Sequence, residues 1–562
     1  MALATMHTIA DLVEALARER GDDLALTFVD HAAPNAQSTE RRTYAQLWDA
    51  ATRLATGLAE QGFRPGERAA LLMANHPEFV EMLVASGIIG LTLVPIDPRT
   101  PPERLAFMLT KTRCSLLVAE PEALQSALAV RDAAPDLRRI AVLGNPTPAQ
   151  ASGVVPYSRL QAANPSSEIA ARRCHADEDM QILFTSGTTG NPKGIVYSHR
   201  KFTDTARMAC MAFGYGPGDT LYSGLSLTHA NAQLVTLGAA LVRGLPVVFS
   251  RRFSKRRMWS TVREHRCTSL TLLGGMTTAI YCDPPTAADR DHQVRLVVSA
   301  GMPAAIWNDF EHRFGVSLLE FYGTAEGGLT LKPPGAGPIG SIGKPPPSLS
   351  TRIVDDTGQD VSPGERGQLL IRSSGGTPFE VSYVDEPEAS AAKCRDGWLW
   401  TGDVVHADAD GWLFFDFRMG HGIRRNGDFI DAASIEKTLA ETELVDDVFV
   451  FGVPAASRVP GESDVVAAVV FKPEAPANGE RAVAALHAAL TRPVVLQQVL
   501  PLDAIPKTAS EKPLARVLCQ MLADRPDLAL NWPASTSPGR QAKPDHPHAG
   551  LQASPAACGT RW

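Results

Sequence analysis

The segment 181–194, QILFTSGTTGNPKG, sets an apolar run directly before a stretch of small hydroxyl residues and glycines. Thr185, Ser186, Thr188 and Thr189 supply hydroxyls, Gly187 and Gly190 carry no Cβ, and Lys193 adds a mobile positive charge. Such a loop can bring backbone N–H groups and hydroxyls close to phosphate oxygens. It is not the GxxxxGK[ST] loop of Walker-type nucleotide enzymes, because the spacing differs and no Ser or Thr follows Lys193. Standing alone, it reads more readily as a Gly/Ser/Thr linker. Other residues of chemically useful type are scattered downstream, and each has an ordinary reading. Asp403 or Arg418 suits a turn or a surface ion pair, Lys512 a solvated charge, His229 a satisfied loop histidine, and Tyr322 a half-buried aromatic.

These residues need elements to position them, and the chain is long enough to build several. It has 562 residues, 44% hydrophobic and 20% charged, which is ordinary globular usage and material for two or more buried cores. The net charge of −7, with both signs mixed along the chain, gives no basic field for nucleic acid or anionic lipid. Eight cysteines without a CxxC pair suggest neither a zinc ribbon nor a disulfide framework, hence a reducing compartment. The N-terminal text reads as an amphipathic helix broken by Asp11, Glu14, Arg18 and Glu19, so no export signal is expected and the location is expected to be cytoplasmic. The most apolar stretch, 79–96, reads as a helix running into a buried strand rather than a membrane span.

Between 43 and 119 helical and strand patterns alternate: helix over 43–60, strand over 68–73, helix over 76–87, then strand, helix and strand over 92–96, 102–112 and 115–119. That rhythm predicts βαβ units and a largely parallel sheet. Strand text returns after Gln181 and over 242–249, 270–273, 294–299 and 317–321, and beyond Gly364 the text becomes β-rich, as in 368–372 and 412–416. The predicted fold class is α/β. A large domain, 1–418, is expected to hold packed α/β sheets and a β-barrel portion, with a small mobile α+β domain at 419–524. The Pro, Ala, Ser and Gly-rich remainder, 525–562, reads as a disordered tail.

The loop at 185–193 resembles the signature of the ANL superfamily of adenylate-forming enzymes, which includes acyl-CoA synthetases. Five further segments match in order: RPGERAALL with LVPIDP, LTHANAQ at 227–233, FYGTAEG at 321–327, WTGD at 400–403 and PKTASEKPLAR at 506–516. The resemblance implies an acid–thiol ligase that joins ATP and a carboxylate into acyl-AMP and passes the acyl group to CoA. By that resemblance Thr185, Ser186, Gly187, Thr188, Thr189, Gly190, Lys193, Ala300, Gly301, Tyr322, Gly323, Thr324, Asp403 and Arg418 hold the nucleotide, with Tyr322 at adenine and Asp403 at the ribose hydroxyls. Glu326 helps hold Mg²⁺, for which a hard oxygen ligand is suitable. Lys512 carries adenylation by bridging the acyl carboxylate and the α-phosphate. His229 lies beside the acyl pocket with Ala230, Gly274 and Met276, and Arg424, Arg425 and Gly427 lie along the CoA channel.

The departures from the pattern matter as much. Where the family writes YGxTE, this chain places Thr324 one position early and Ala325 at the threonine position, so one hydroxyl contact to the α-phosphate is lost or displaced. Such a contact is worth about 1 kcal/mol. Glu511 stands where a glycine usually precedes the lysine, Gly420 sits at the hinge where Asp or Lys is usual, and NGD at 426–428 replaces GGE. A hinge glycine permits wide dihedral change without pinning either state. The Glu–Lys pairing, NAQ at 231–233 and IRRNGDFI at 423–430 resemble the carnitine/crotonobetaine ligase branch. Small residues at Ala230, Ala232, Gly274, Gly275, Ala300 and Gly301, with Met276 and Met302 as adaptable walls, predict a roomy pocket for a bulky or long apolar acid. Two further readings stay open: an adenylating enzyme that loads a carrier protein instead of CoA, and a non-catalytic binding protein that keeps the fold.

Overall fold

The computed structural model describes residues 2–33, 36–144, 153–162, 164–185, 192–376, 378–419, 423–425, 428–430, 432–456, 463–490, 494–508 and 513–533. The alternating text near the N-terminus folds as read. Thr43 starts the helix Tyr44–Glu60 with a capping box, its hydroxyl accepting from Gln46 N–H while the Gln46 side chain accepts from Thr43 N–H. A cap of this kind contributes about 1 kcal/mol. The helix Pro77–Ile89 is buried on every side, ends at left-handed Gly90 (φ 74°) and feeds the strand Thr92–Ile96. An all-round apolar helix has to lie inside the molecule.

Two large sheets form the main body. The first runs Val154–Pro156, Arg139–Val142, Leu116–Ala119, Arg68–Leu72, Thr92–Ile96, Asp179–Phe184, Gly194–Ser198 in spatial order, all parallel except the last pair. That antiparallel pair is a hairpin whose connection is the candidate phosphate loop, and Thr185 N–H donates to Lys193 C=O at its base (2.9 Å). The second sheet has eight strands, parallel in its middle and antiparallel at both outer pairs. One apolar core spans both sheets. Buried Asn75 bridges the two, donating to Leu225 C=O (2.9 Å) and Ser250 C=O (2.8 Å) and accepting from Leu227 N–H (2.7 Å).

The elements that carry the site are the helix α1 (His199–Ala212), strand β1 (Ser269–Leu273), helix α2 (Gly274–Tyr281), strands β2 (Leu296–Ala300), β3 (Ser317–Thr324) and β4 (Gly327–Lys332), helix α3 (Pro387–Lys393), strands β5 (Trp398–Ala407) and β6 (Leu413–Arg418), and helix α4 (Ala432–Ala440). β5 and β6 belong to a five-stranded antiparallel sheet, which occupies the place expected to be a barrel. Residues 242–249 are not one strand. Ala239–Arg243 is helical, Gly244 turns the chain at φ 67°, and only Val247–Ser250 pairs. A short apolar run reads alike in either state.

Beyond Ile423 a four-stranded sheet, Val445–Pro454, Ser463–Phe471, Gln498–Pro501 and Leu530–Asn531, carries separate apolar clusters of its own. The expected tail therefore begins too early at 525. Leu530 pairs with Val499, Trp532 N–H donates to Gln497 C=O (2.8 Å), and both side chains pack on that core. This sheet's unit touches the main body through Lys255 to Asp446 (2.7 Å), Lys437 Nζ to Ala305 C=O (2.7 Å) and Lys472 Nζ to Cys282 C=O (3.4 Å). No described helix is long and apolar enough to cross a membrane.

Candidate active site

Parallel strands β1 and β2 end together and β3 runs on beside them to Thr324, and the crevice outside the carboxyl ends of parallel strands is the usual ligand site of such sheets. At the end of β2 the chain turns through Gly301 at φ 85°. A Cβ on Gly274 would lie 2.2 Å from Gly301 C=O, so glycine there serves a close approach of two backbones. Buried Glu320 on β3 fixes this turn by accepting from Gly301 N–H (2.5 Å) and Met302 N–H (3.2 Å). Burial pushes its carboxyl up to about 8 against the opposing pull of those two donors.

β3 delivers Tyr322, and β5 and β6 deliver its partners. The antiparallel register sets Asp403 opposite Arg418. Arg418 Nε donates to Asp403 Oδ1 (2.6 Å) and Nη2 to Oδ2 (2.9 Å), while Tyr322 O–H donates to Oδ2 (2.5 Å). Asp403 is 1% exposed. Its carboxylate holds Arg418 more firmly protonated than usual, and burial beside that charge drives the Tyr322 phenol far above its ordinary range. A carboxylate has about four lone-pair sites. Three are taken here, which leaves about one free.

The corner between β3 and β4 presents Thr324, Ala325 and Glu326. Thr324 O–H donates to Gly327 C=O (2.8 Å), so the early hydroxyl closes the turn instead of facing a phosphate. Tyr197 O–H donates to Ala325 C=O, and Lys201 Nζ on α1 donates to Glu326 C=O (3.2 Å) while lying over the Tyr197 ring. The buried Glu326 carboxylate accepts from Tyr383 O–H at Oε1 (2.8 Å), and Lys393 Nζ at the end of α3 stands 4.0 Å from the same oxygen. Lys393 also donates to Thr401 C=O on β5 (2.8 Å), which ties the Glu326 cluster to the Asp403 cluster. Lys193, at the close of the candidate phosphate loop, lies 3.8 Å from Glu386 and above the Tyr383 ring.

The structure thus gathers Ala300, Gly301, Tyr322, Gly323, Thr324, Glu326, Asp403 and Arg418 at one crevice. Ser186, Gly187, Thr188, Thr189, Gly190, Gly420, Asn426, Gly427, Glu511 and Lys512, and the side chain of Arg424, lie outside the described residues. The described Arg425 pairs with Asp464 in the smaller unit. His229 follows a turn closed by its own N–H to Ser226 C=O (3.1 Å), and burial pulls its ring down to about 4, so the imidazole is neutral near pH 7. Of the residues expected to wall the acyl pocket, Ala232 (0% exposed), Met276 (1%) and Met302 (5%) are packed within the main core. Their small or pliable side chains serve packing. A separate crevice between α2 and α4, lined by Tyr281, Ile306, Lys437 and Ala440 among others, lies at the seam with the smaller unit, away from Glu326.

Sequence reasoning missed Glu320, Lys201, Tyr383, Glu386 and Lys393. Among the described residues no group of three or more His, Cys, Asp or Glu could hold a metal ion. Mg²⁺ needs less, since it keeps several waters and binds through one or two carboxylates plus substrate phosphates. Glu326, with Oε1 bonded to Tyr383, fits a single-carboxylate role of that kind.

Residues 13–378 match the family model described as AMP-binding enzyme, and the chain belongs to that family of adenylate-forming proteins. It is 30% identical over 451 residues to a crotonobetaine/carnitine–CoA ligase of Salmonella enteritidis, a match spanning 78% of this chain and 87% of that one. Among solved structures it resembles an anthranilate CoA ligase in complex with anthranoyl-AMP, with TM-score 0.79 and 23% identity over 93% of this chain and all (100%) of the other. It also resembles a benzoate CoA ligase from Burkholderia xenovorans LB400, with TM-score 0.73 and 22% identity over 91% and 99% of the two chains.

Proposed function

We propose that this chain joins ATP and an apolar monocarboxylic acid to give acyl-AMP and pyrophosphate, then transfers the acyl group to the thiol of CoA. The observation that carries this reading is the Tyr322–Asp403–Arg418 cluster, centred on the buried Asp403 carboxylate and set near Glu326 at the carboxyl ends of parallel strands. Tyr322 offers a ring face for adenine, Asp403 a remaining acceptor site for one ribose hydroxyl, and Lys193 a charge for the departing pyrophosphate. Glu326 would hold Mg²⁺, which supplies charge neutralisation at the phosphates when bound. Lys512 would steady the carboxylate oxygen as it attacks the α-phosphorus and the bond to pyrophosphate breaks. The neutral His229 ring supplies no cation for a second carboxylate, and its chain neighbour Ala230 is apolar, which favours a monoacid with an apolar body.

CoA is favoured over a carrier protein because the curated relatives are CoA ligases over most of their length. The test is ATP–pyrophosphate exchange against aliphatic and aromatic acids and carnitine, followed by AMP release with CoA or a carrier protein added. Exchange with an apolar acid and CoA-dependent AMP release support the reading. Exchange with carnitine alone would remove the apolar acid, and carrier-dependent release would replace CoA.

A further inference from the structure

The β3–β4 corner has spent its hydroxyl, since Thr324 O–H is bonded to Gly327 C=O and Ala325 has none to offer. A cation stands across from it. Lys393 reaches in from the last residue of α3, its side chain 19% exposed, with Nζ 4.0 Å from Glu326 Oε1 and 2.8 Å from Thr401 C=O. One donor is spent on that carbonyl, and an ammonium has three. The segment that carries it is fixed to the nucleotide crevice at several points. Val384 N–H donates to Gly194 C=O (2.9 Å), Val196 N–H donates to Ser382 C=O (2.9 Å), and Tyr383 O–H is bonded to Glu326. Lys201, the other lysine at Glu326, is committed to a carbonyl and an aromatic face. Lys393 lies between the carboxylate that faces the phosphates and the strand that carries Asp403.

We propose that Lys393 is a phosphate-binding residue of the adenylation site, its ammonium meeting the α-phosphate of the nucleotide at the point where the β3–β4 corner provides no hydroxyl. This rests on the reading of the crevice as an ATP site. A lysine here neutralises charge on the nucleotide without a metal ligand, and it is carried by α3 rather than by the phosphate loop.

The test compares AMP with adenosine, which lacks the phosphate, by titration calorimetry on the wild type, K393M and K393R. A charge-assisted hydrogen bond corresponds to roughly 10- to 100-fold in affinity. K393M is expected to weaken AMP binding by about that factor with adenosine affinity unchanged, and K393R to restore most of it. Adding Ala325→Thr to K393M should recover about fivefold, by returning a hydroxyl to the corner. Equal losses for AMP and adenosine, or no loss for either, would overturn the proposal and make Lys393 a strut between α3 and β5. The underlying reading fails separately: wild-type protein that binds neither AMP nor adenosine would remove the nucleotide site itself.

Discussion

Asp403→Asn perturbs the centre of the proposed nucleotide site while changing little volume. The native carboxylate takes two donors from Arg418 and one from Tyr322, so about one acceptor site remains for substrate. The amide removes the charge behind that site and turns an NH₂ group toward donors. A hydrogen bond to a charged acceptor contributes about 1.5–3 kcal/mol, so ATP should bind roughly 10- to 150-fold more weakly. The folded state should lose less than the roughly 3–5 kcal/mol of a broken buried pair, because the Arg418 side chain is 45% exposed and can recruit water. Calorimetric titration with ATP, 2′-deoxy-ATP and 3′-deoxy-ATP reads the effect. On the wild type one deoxy analogue should carry most of the penalty, and on D403N that penalty should vanish. Equal ATP affinity in a folded D403N, or identical analogue penalties in both proteins, would refute the single-acceptor argument.

Three other outcomes follow from the same geometry. Tyr383→Phe deletes the hydroxyl bonded to Glu326 and should lower kcat/KM for ATP in pyrophosphate exchange about tenfold with the fold retained; an unchanged value would detach Tyr383 from the site. Glu320→Ala strands the buried N–H groups of Gly301 and Met302, at about 1–3 kcal/mol each, whereas Glu320→Gln keeps one acceptor and should cost about half as much in urea unfolding. His199 is fully buried and burial pulls its ring down to about 4. Its folded value lies below its unfolded value, so the stability tied to its neutral form is present above pH 6.5 and lost as pH falls toward 4. At pH 5 the loss should be about 2 kcal/mol. Replacing His199 with Gln should flatten that slope, and an unchanged slope would sink the assignment.

Much of the frame was legible because local rules act alone there. The helix after residue 43, the helix begun near residue 76 and the strand at 92–96 follow from periodicity, whereas the Thr43 cap and the run of the second helix on to Gly90 are seen only in the structure. The ordered motifs placed Tyr322, Glu326, Asp403 and Arg418, and the β5–β6 register brings the last two together. What escaped depends on long-range docking. Tyr383 lies in a connection that pairs with the strand after the phosphate loop, and Lys393 ends a seven-residue helix, so neither carries a periodic signal. Small residues in the acyl region also have packing reasons, since Gly274 allows the close approach of Gly301 and Ala232 is packed in the core. Leu530 and Trp532 pack only because the smaller sheet offers them an edge.

The central claim is that this crevice makes acyl-AMP, and acid-dependent ATP–pyrophosphate exchange measures that step directly. With an apolar acid the wild type should exchange label, D403N should retain only a small fraction of the rate at subsaturating ATP, and K512A should retain almost none. Exchange that needs no acid, or that persists undiminished in D403N and K512A, would contradict the account.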